Sequence, residues 1–282
     1  MSRIDGNGLR QSCRNIRASI VRMAHYGGTP HVASCLSCVE VLAGLYFRAL
    51  RVDPERPSWA ERDRFILSKG HASMALYATL SERGFFSSSL LDEYATDGGC
   101  LAEHPGPGCA PGIEAATGSL GHGLSISAGL ALGARQRGQR ARAFCLLSDG
   151  ECNEGSVWEA AIFARRYALE NLIAIVDYNK WSAMARTETF LEPLAEKWRA
   201  FGWGTAEIDG HDVEEVAAAL DAVPFEKGRP TAIVAHTVKG KGVSYMENDL
   251  EWHYRTPNRR DLEQALEEIA RPAAEPVSMV QP

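Results

Sequence analysis

Two residues thirty positions apart, Asp149 and Asn179, have the type and setting to hold a metal ion. Asp149 lies where an apolar run from Phe144 gives way to Ser148-Asp149-Gly150-Glu151-Cys152-Asn153-Glu154-Gly155. A polar, glycine-flanked turn is followed by a helical pattern in Val157, Trp158, Ala161, Ile162 and Ala164. Strand, loop, helix is how an open α/β sheet presents a ligand at the carboxyl ends of its strands. Gly150 lets the backbone come close to whatever binds, and the helix start can face an anion. A second apolar run over residues 172–176 ends in Asp177-Tyr178-Asn179. If the two runs are neighbouring parallel strands, Asp149 and Asn179 meet at their ends. Two hard oxygen ligands beside a helix N-terminus suit Mg²⁺ or Ca²⁺ carrying a diphosphate. Either residue alone is an ordinary turn residue or cap.

Taken together, in this order and at this spacing, they resemble the Gly-Asp-Gly…Asn signature of thiamine-diphosphate enzymes, with Ser148 in place of the first glycine. The wider wording, Asp-Gly-Glu-x-x-Glu-Gly-x-x-Trp-Glu-Ala and then Asn-Leu-Ile-Ala-Ile-Val-Asp-Tyr-Asn, resembles the transketolase family, and the likeness runs over about residues 10 to 260. The resemblance implies that Asp149, Asn179 and the Trp181 carbonyl hold Mg²⁺ or Ca²⁺. It further implies that Gly150, Glu151 and Glu154 lie at the diphosphate of thiamine diphosphate.

Four histidines acquire roles from the same resemblance. His31 follows Gly27-Gly28-Thr29-Pro30 and resembles the His that opens the family's Gly-His-x-Gly-Gly-Ser-Leu-Ser segment, with Ala33 and Ser34 where glycines are common. His71, in Ser68-Lys69-Gly70-His71-Ala72-Ser73, sits after a short apolar strand and at a helix start, which favours a neutral imidazole. His104 falls in residues 98–112, a stretch with five glycines and three prolines that reads as a functional loop. It resembles the family's Gly-His-Pro, with Glu103 replacing the glycine. His253 follows Trp252 after the Lys239-Gly240-Lys241-Gly242 loop. His71 and His253 are implied at the diphosphate end, His31 and His104 along a sugar channel. Thr117-Gly118-Ser119-Leu120-Gly121-His122-Gly123 resembles a cofactor-holding segment through Gly118, Ser119 and Leu120, with His122 where Gln is usual.

The elements that must position these residues alternate strand and helix. The pattern predicts a doubly wound, mostly parallel α/β sheet with helices on both faces, the thiamine-diphosphate-binding fold, as one domain over 1–270. Residues 9–25 read as a helix, a second apolar helix runs to about residue 50, and a further one spans 190–201. His211 and Asp212, between a strand end and a capped helix, read as structural or interfacial. Cys35 and Cys38 read as two small buried residues on one helix face. Residues 271–282 read as a disordered tail.

Bulk properties narrow the field. The chain has 282 residues and a net charge of −6, so charge offers no attraction to nucleic acid or to an anionic membrane. No apolar run is long enough to span a bilayer, and the N-terminus lacks a signal-peptide core. Seven scattered cysteines fit a reducing cytoplasm.

A whole transketolase resembles three α/β modules in a row, of which this sequence matches the first. The second module supplies the glutamate that contacts the aminopyrimidine ring, and no candidate for it is present here. The resemblance therefore implies the N-terminal subunit of a split transketolase, active with a C-terminal, pyrimidine-binding partner in a heterotetramer and acting on sugars or sugar phosphates. Glu154, Trp158 and the small-residue helix after Gly121 are placed to meet another chain. The other classes left open are a subunit of a 2-oxoacid dehydrogenase or of a deoxyxylulose-phosphate-type synthase, and a non-catalytic cofactor-binding subunit.

Overall fold

The computed structural model describes residues 4–271. Five parallel strands form one sheet in the order β1-β2-β3-β5-β4: β1 Arg64–Leu67, β2 Ala143–Ser148, β3 Leu172–Tyr178, β4 Gly204–Asp209 and β5 Thr231–His236. Every residue of β2 and β3 is buried, as expected of central parallel strands covered on both faces. Alternate side chains feed two separate cores. Phe144, Leu146, Ile173, Ile175 and Ile233 pack under one layer of helices. Cys145, Leu147, Ala174, Val176 and Val234 pack under the other. The doubly wound architecture is thus the one that the apolar runs require.

The first layer contains α1 (Gly6–Gly27), α2 (Val32–Leu36), α3 (Val39–Gly44) and α4 (Ser73–Glu82). The second contains α5 (Gly123–Gln136) and α6 (Gly155–Arg166), followed after β3 by α7 (Glu188–Leu191) and α8 (Leu194–Ala200). The first layer is completed by α9 (Val213–Asp221) and α10 (Arg259–Ala270). The last of these was not foreseen from the apolar pattern, although Asn258 and Asp261 close a capping box at its start.

Two expectations are corrected and one holds. The apolar stretch after Ser37 is helical to about residue 50, as expected: α3 runs directly into a π-helical turn over Leu45–Ala49, and the short α2 is broken off before it. The break falls at Ser37, whose hydroxyl donates to the Ser34 carbonyl (3.1 Å) and to Asp177 (2.6 Å). Cys35 and Cys38 therefore sit on different helices, both buried and free. The helix expected over 190–201 is broken at Pro193, which cannot donate to a helix ladder. There the Glu192 carboxylate accepts from Tyr178 Oη (2.6 Å) and from the Leu194 N–H (3.1 Å). The tail read over 271–282 lies, Arg271 apart, outside the described residues.

Candidate active site

β2 and β3 pair in register with Ser148 opposite Asp177, so the residues that follow each strand emerge side by side. Asp149 and Asn179 are both buried at this point. One Asp149 oxygen accepts from the Gly150 N–H (2.9 Å), the other from the Lys180 N–H (2.8 Å) and the Thr187 hydroxyl (2.6 Å). Burial pushes the Asp149 carboxyl up to about 7, against the Thr187 hydrogen bond that lowers it. A divalent cation beside it would restore the charged form.

Asn179 is aimed by its neighbours. Its Nδ2 faces Asp177 (3.4 Å) and Ser37 Oγ (3.4 Å), which leaves Oδ1 to accept from the Trp181 N–H (3.0 Å) with a lone pair to spare. Among the described residues no group of three or more His, Cys, Asp or Glu could hold a metal. One carboxylate, one amide oxygen and a backbone carbonyl such as that of Trp181 form a different donor set, all hard oxygen, which suits Mg²⁺ or Ca²⁺.

Beneath Asn179 lies a charged pair that the sequence patterns did not single out. Lys69 and Asp177 are wholly buried; Lys69 Nζ donates to Asp177 and to the Ser34 carbonyl (3.0 Å). Thr237 Oγ1 also donates to Asp177. Burial would raise the Asp177 carboxyl, yet the Lys69 ammonium and these hydroxyls hold it below the usual range. The available signal was a charged residue inside an otherwise apolar strand, where charges are rare unless paired. Removing one partner strands the other charge, so Lys69→Met is expected to cost about 3–5 kcal/mol of stability. Urea denaturation of the chain measures this; a loss below about 1 kcal/mol would place the pair in contact with water.

The histidines converge from four separate segments. The His31 ring centroid is 5.4 Å from that of His71 and 4.8 Å from that of His253, and the latter two are 5.9 Å apart. His31 adopts a left-handed backbone (φ 71°), and its N–H donates to the His253 carbonyl (3.1 Å). Burial lowers all three rings, His31 to about 4 and His253 to about 3, with the nearby Lys69, Lys239 and other histidines adding to the effect. At neutral pH they are uncharged, each with one donor and one acceptor nitrogen. His31 Nδ1 is buried with no hydrogen-bond partner, a polar atom left for something the chain itself does not supply.

His104 reaches the same place from the exposed loop. A Cβ on Gly118 would lie 2.6 Å from His104 Cδ2, and one on Gly70 would lie 2.5 Å from the Gly118 nitrogen. Only glycine permits this stacking of three segments, and Gly118 also holds a positive φ of 136°. Leu120 is half-buried and Ser119 exposed on the same turn, while His122 Nδ1 bonds back to the Leu120 carbonyl (3.1 Å). A second residue that the patterns missed completes the cluster. Lys239 is buried with its Nζ 3.0 Å from His253 Nδ1. An ammonium can only donate, so His253 carries its proton on Nε2. Burial lowers the Lys239 ammonium to about 8, and among the described residues it forms no ion pair.

Two expectations change here. Glu151 does not lie open to a ligand. It is fully buried, accepting from Ser68 Oγ and the Gly121 N–H (2.7 Å) with one oxygen and from the Ser148 N–H (3.3 Å) with the other. It ties the β1, β2 and Gly118–Gly121 loops together. Glu154, by contrast, is exposed beside Gly121. Trp158 does not face outward to another chain but stacks on Phe201 (5.1 Å), with its indole N–H on the Cys152 carbonyl (2.9 Å). The outer side of α6 instead exposes Ile162 and Phe163.

A family model described as the thiamine diphosphate binding domain of transketolase matches residues 9–271. The chain belongs to the transketolase family. An apulose-4-phosphate transketolase subunit from Phocaeicola vulgatus is 39% identical over 262 residues, covering 92% of each chain. A 6-deoxy-6-sulfo-D-fructose transketolase subunit from a Clostridium species is 41% identical over 249 residues, covering 88% of this chain and 90% of that one. A solved transketolase variant from Pichia stipitis superposes with a TM-score of 0.88 at 27% identity, covering 93% of this chain and 40% of that one. The chain therefore spans nearly all of the subunit-sized transketolase relatives and about two-fifths of that solved transketolase. Its parallel sheet is the transketolase fold, and its family is one of thiamine diphosphate binding domains.

Proposed function

We propose that this chain is the diphosphate-binding subunit of a two-component transketolase. With a C-terminal partner that holds the aminopyrimidine end of the cofactor, it transfers a two-carbon ketol unit from a ketose to an aldose. The observation that carries the reading is the meeting of Asp149 and Asn179 beside three touching, uncharged histidines and a buried ammonium without a carboxylate.

In this reading Asp149, Asn179 and the Trp181 carbonyl hold Mg²⁺ or Ca²⁺. His71, His253 and Lys239 face the diphosphate, beside the backbone of Gly118, Ser119, Leu120 and Gly150. Glu154 stands at the rim of that end, and Glu151 holds the loops together from behind. Bound thiamine diphosphate supplies the carbanion chemistry, while the protein supplies orientation and proton handling. His31 and His104 line the sugar channel, where uncharged imidazoles donate to and accept from hydroxyls. The unpartnered His31 Nδ1 supports this placement.

The relatives' names supply the rest of the proposal. Two are named as subunits of transketolases, for a sugar phosphate and for a sulfo-sugar, which supports a partner chain and sugars or sugar phosphates as substrates. A heterotetramer of two such pairs is the closed assembly proposed. No helix among the described residues is long and apolar enough to cross a membrane. All seven cysteines are free thiols, which supports a cytoplasmic place for the enzyme.

Two-carbon transfer by the reconstituted pair of chains, absent when either is omitted, tests the function. Within that complex, His104→Ala is expected to lower kcat/KM about 10²-fold and to leave thiamine diphosphate affinity nearly unchanged. Steady-state kinetics with calorimetry decides; a lost cofactor affinity would move His104 to the other end of the site.

A further inference from the structure

Lys239 sits on the irregular segment that follows β5, and its direction depends on how the backbone on either side is held. The Val238 N–H donates to His211 Nε2 (2.8 Å). The Lys241 carbonyl accepts from Arg17 Nε (3.0 Å). Both arms lead to one carboxylate. Arg17 forks onto Glu40 through Nη1 (2.5 Å) and Nη2 (2.8 Å), and His211 Nδ1 lies 3.0 Å from Glu40 Oε2. A backbone N–H can only donate, so His211 Nε2 is the bare nitrogen and Nδ1 carries the proton, donated to Glu40. Burial would raise the Glu40 carboxyl, but Arg17 and His211 outweigh it and hold it at about 2, so the anchor is charged.

The imidazole is not needed to build its own turn. Asp209 Oδ1 accepts from the His211 N–H (2.8 Å), and Asp212 caps α9 by accepting from Glu214 (2.8 Å) and Glu215 (3.2 Å). What the ring does is reach across to Val238, one residue before Lys239, while Arg17 holds the residue two beyond it. A Cβ on Gly210 would lie 2.5 Å from Thr237 Cγ2, so the turn bearing His211 is pressed against the start of the segment.

We propose that Arg17, Glu40 and His211 form a relay whose task is to aim Lys239 at the diphosphate, with His211 as its positioning residue. The inference rests on the proposed function for its consequence, cofactor affinity, but not for its geometry. His211→Asn keeps a side-chain N–H near the Nδ1 position and loses the acceptor for Val238; His211→Gln keeps an acceptor at the reach of Nε2.

Two measurements test the relay separately. In the full chain alone, acetylation of Lys239 by an N-hydroxysuccinimide ester, followed by peptide mass spectrometry, is expected to speed up several-fold in His211→Asn and to stay near the parent rate in His211→Gln. In the complex with the partner chain, calorimetry with thiamine diphosphate and Mg²⁺ is expected to show about tenfold weaker binding for His211→Asn. In a Lys239→Met background, the same change is expected to add nothing. Unchanged labelling, or losses that add in the double variant, overturns the positioning role. Faster labelling with unchanged cofactor affinity confirms the relay and instead removes Lys239 from the diphosphate site. If His211→Asn does not fold, amide exchange in the parent chain still decides: a Val238 N–H as slow as those of β5 supports the bond to His211, and one exchanging like an open loop refutes it.

Discussion

Purified alone and supplied with thiamine diphosphate and Mg²⁺, the chain is expected to show no measurable two-carbon transfer, and to gain it when the partner chain is added. The two ends of the proposed site are unequally furnished. One end has the proposed metal loop, a glycine-stacked backbone, three histidines in ring contact and a buried ammonium. At the other end, the glutamate that would meet the aminopyrimidine ring is proposed to come from the partner chain, and an acid–base group of that kind is worth about 10²–10⁴ in rate. Loss of orientation multiplies this, since positioning reactants alone is worth about 7–11 kcal/mol of barrier. The surface agrees with a covering partner. Tyr254 Oη donates to the Ala183 carbonyl (3.1 Å), and Met184 and Tyr254 expose large apolar side chains just past the proposed metal loop. Phe163 and Tyr167 do so at the end of α6, with ring centroids 4.6 Å apart. Such groups are common on faces that another chain buries. Turnover by the chain alone at the rate of the complex would refute the split-enzyme reading.

Asp149→Ala is the single substitution expected to do most harm. It removes the only carboxylate of the proposed metal set. It also frees the Lys180 N–H and the Thr187 hydroxyl, which hold the loop that begins at Trp181. Both effects weaken the same grip, and the loss of thiamine diphosphate affinity in the presence of Mg²⁺ is expected to exceed about 100-fold, since outer-shell partners alone account for 10–100-fold. Asp149→Asn separates the two contributions. An amide keeps an acceptor oxygen for the loop and cannot neutralise a cation, so it should retain most of the stability and little of the affinity. Calorimetry on the assembled complex and thermal melting of the chain read these outcomes independently. An Asp149→Ala complex that binds the cofactor as tightly as the parent would remove this residue from the metal site.

Much of the site was legible because its parts are local. A strand that ends in Asp-Gly, a second strand that ends in Asp-x-Asn, and a glycine turn opening a helix each require only a few consecutive residues. Glu151 shows where that legibility stops. From the chain it is an acid next to a metal ligand; in the structure its oxygens are taken by Ser68, Gly121 and Ser148 from three loops. Trp158 shows the same on a helix, because spacing says which residues share a face but not which neighbour covers it.

The sequence by itself determined the fold class, since two continuous apolar runs with helical stretches between them have few solutions other than a covered parallel sheet. It also determined the order in which the candidate ligands and histidines appear, and the family to which they point. Tertiary structure decided what depends on contacts between segments far apart in the chain. It brought His31, His71 and His253 into ring contact across more than two hundred residues. It buried Lys69 against Asp177, fixed the Asn179 amide nitrogen on Asp177 so that Oδ1 faces away, and linked Arg17 through Glu40 and His211 to the loop of Lys239. None of these pairings has a sequence period, because each is set by which loops the strand order β1-β2-β3-β5-β4 places at the same end of the sheet.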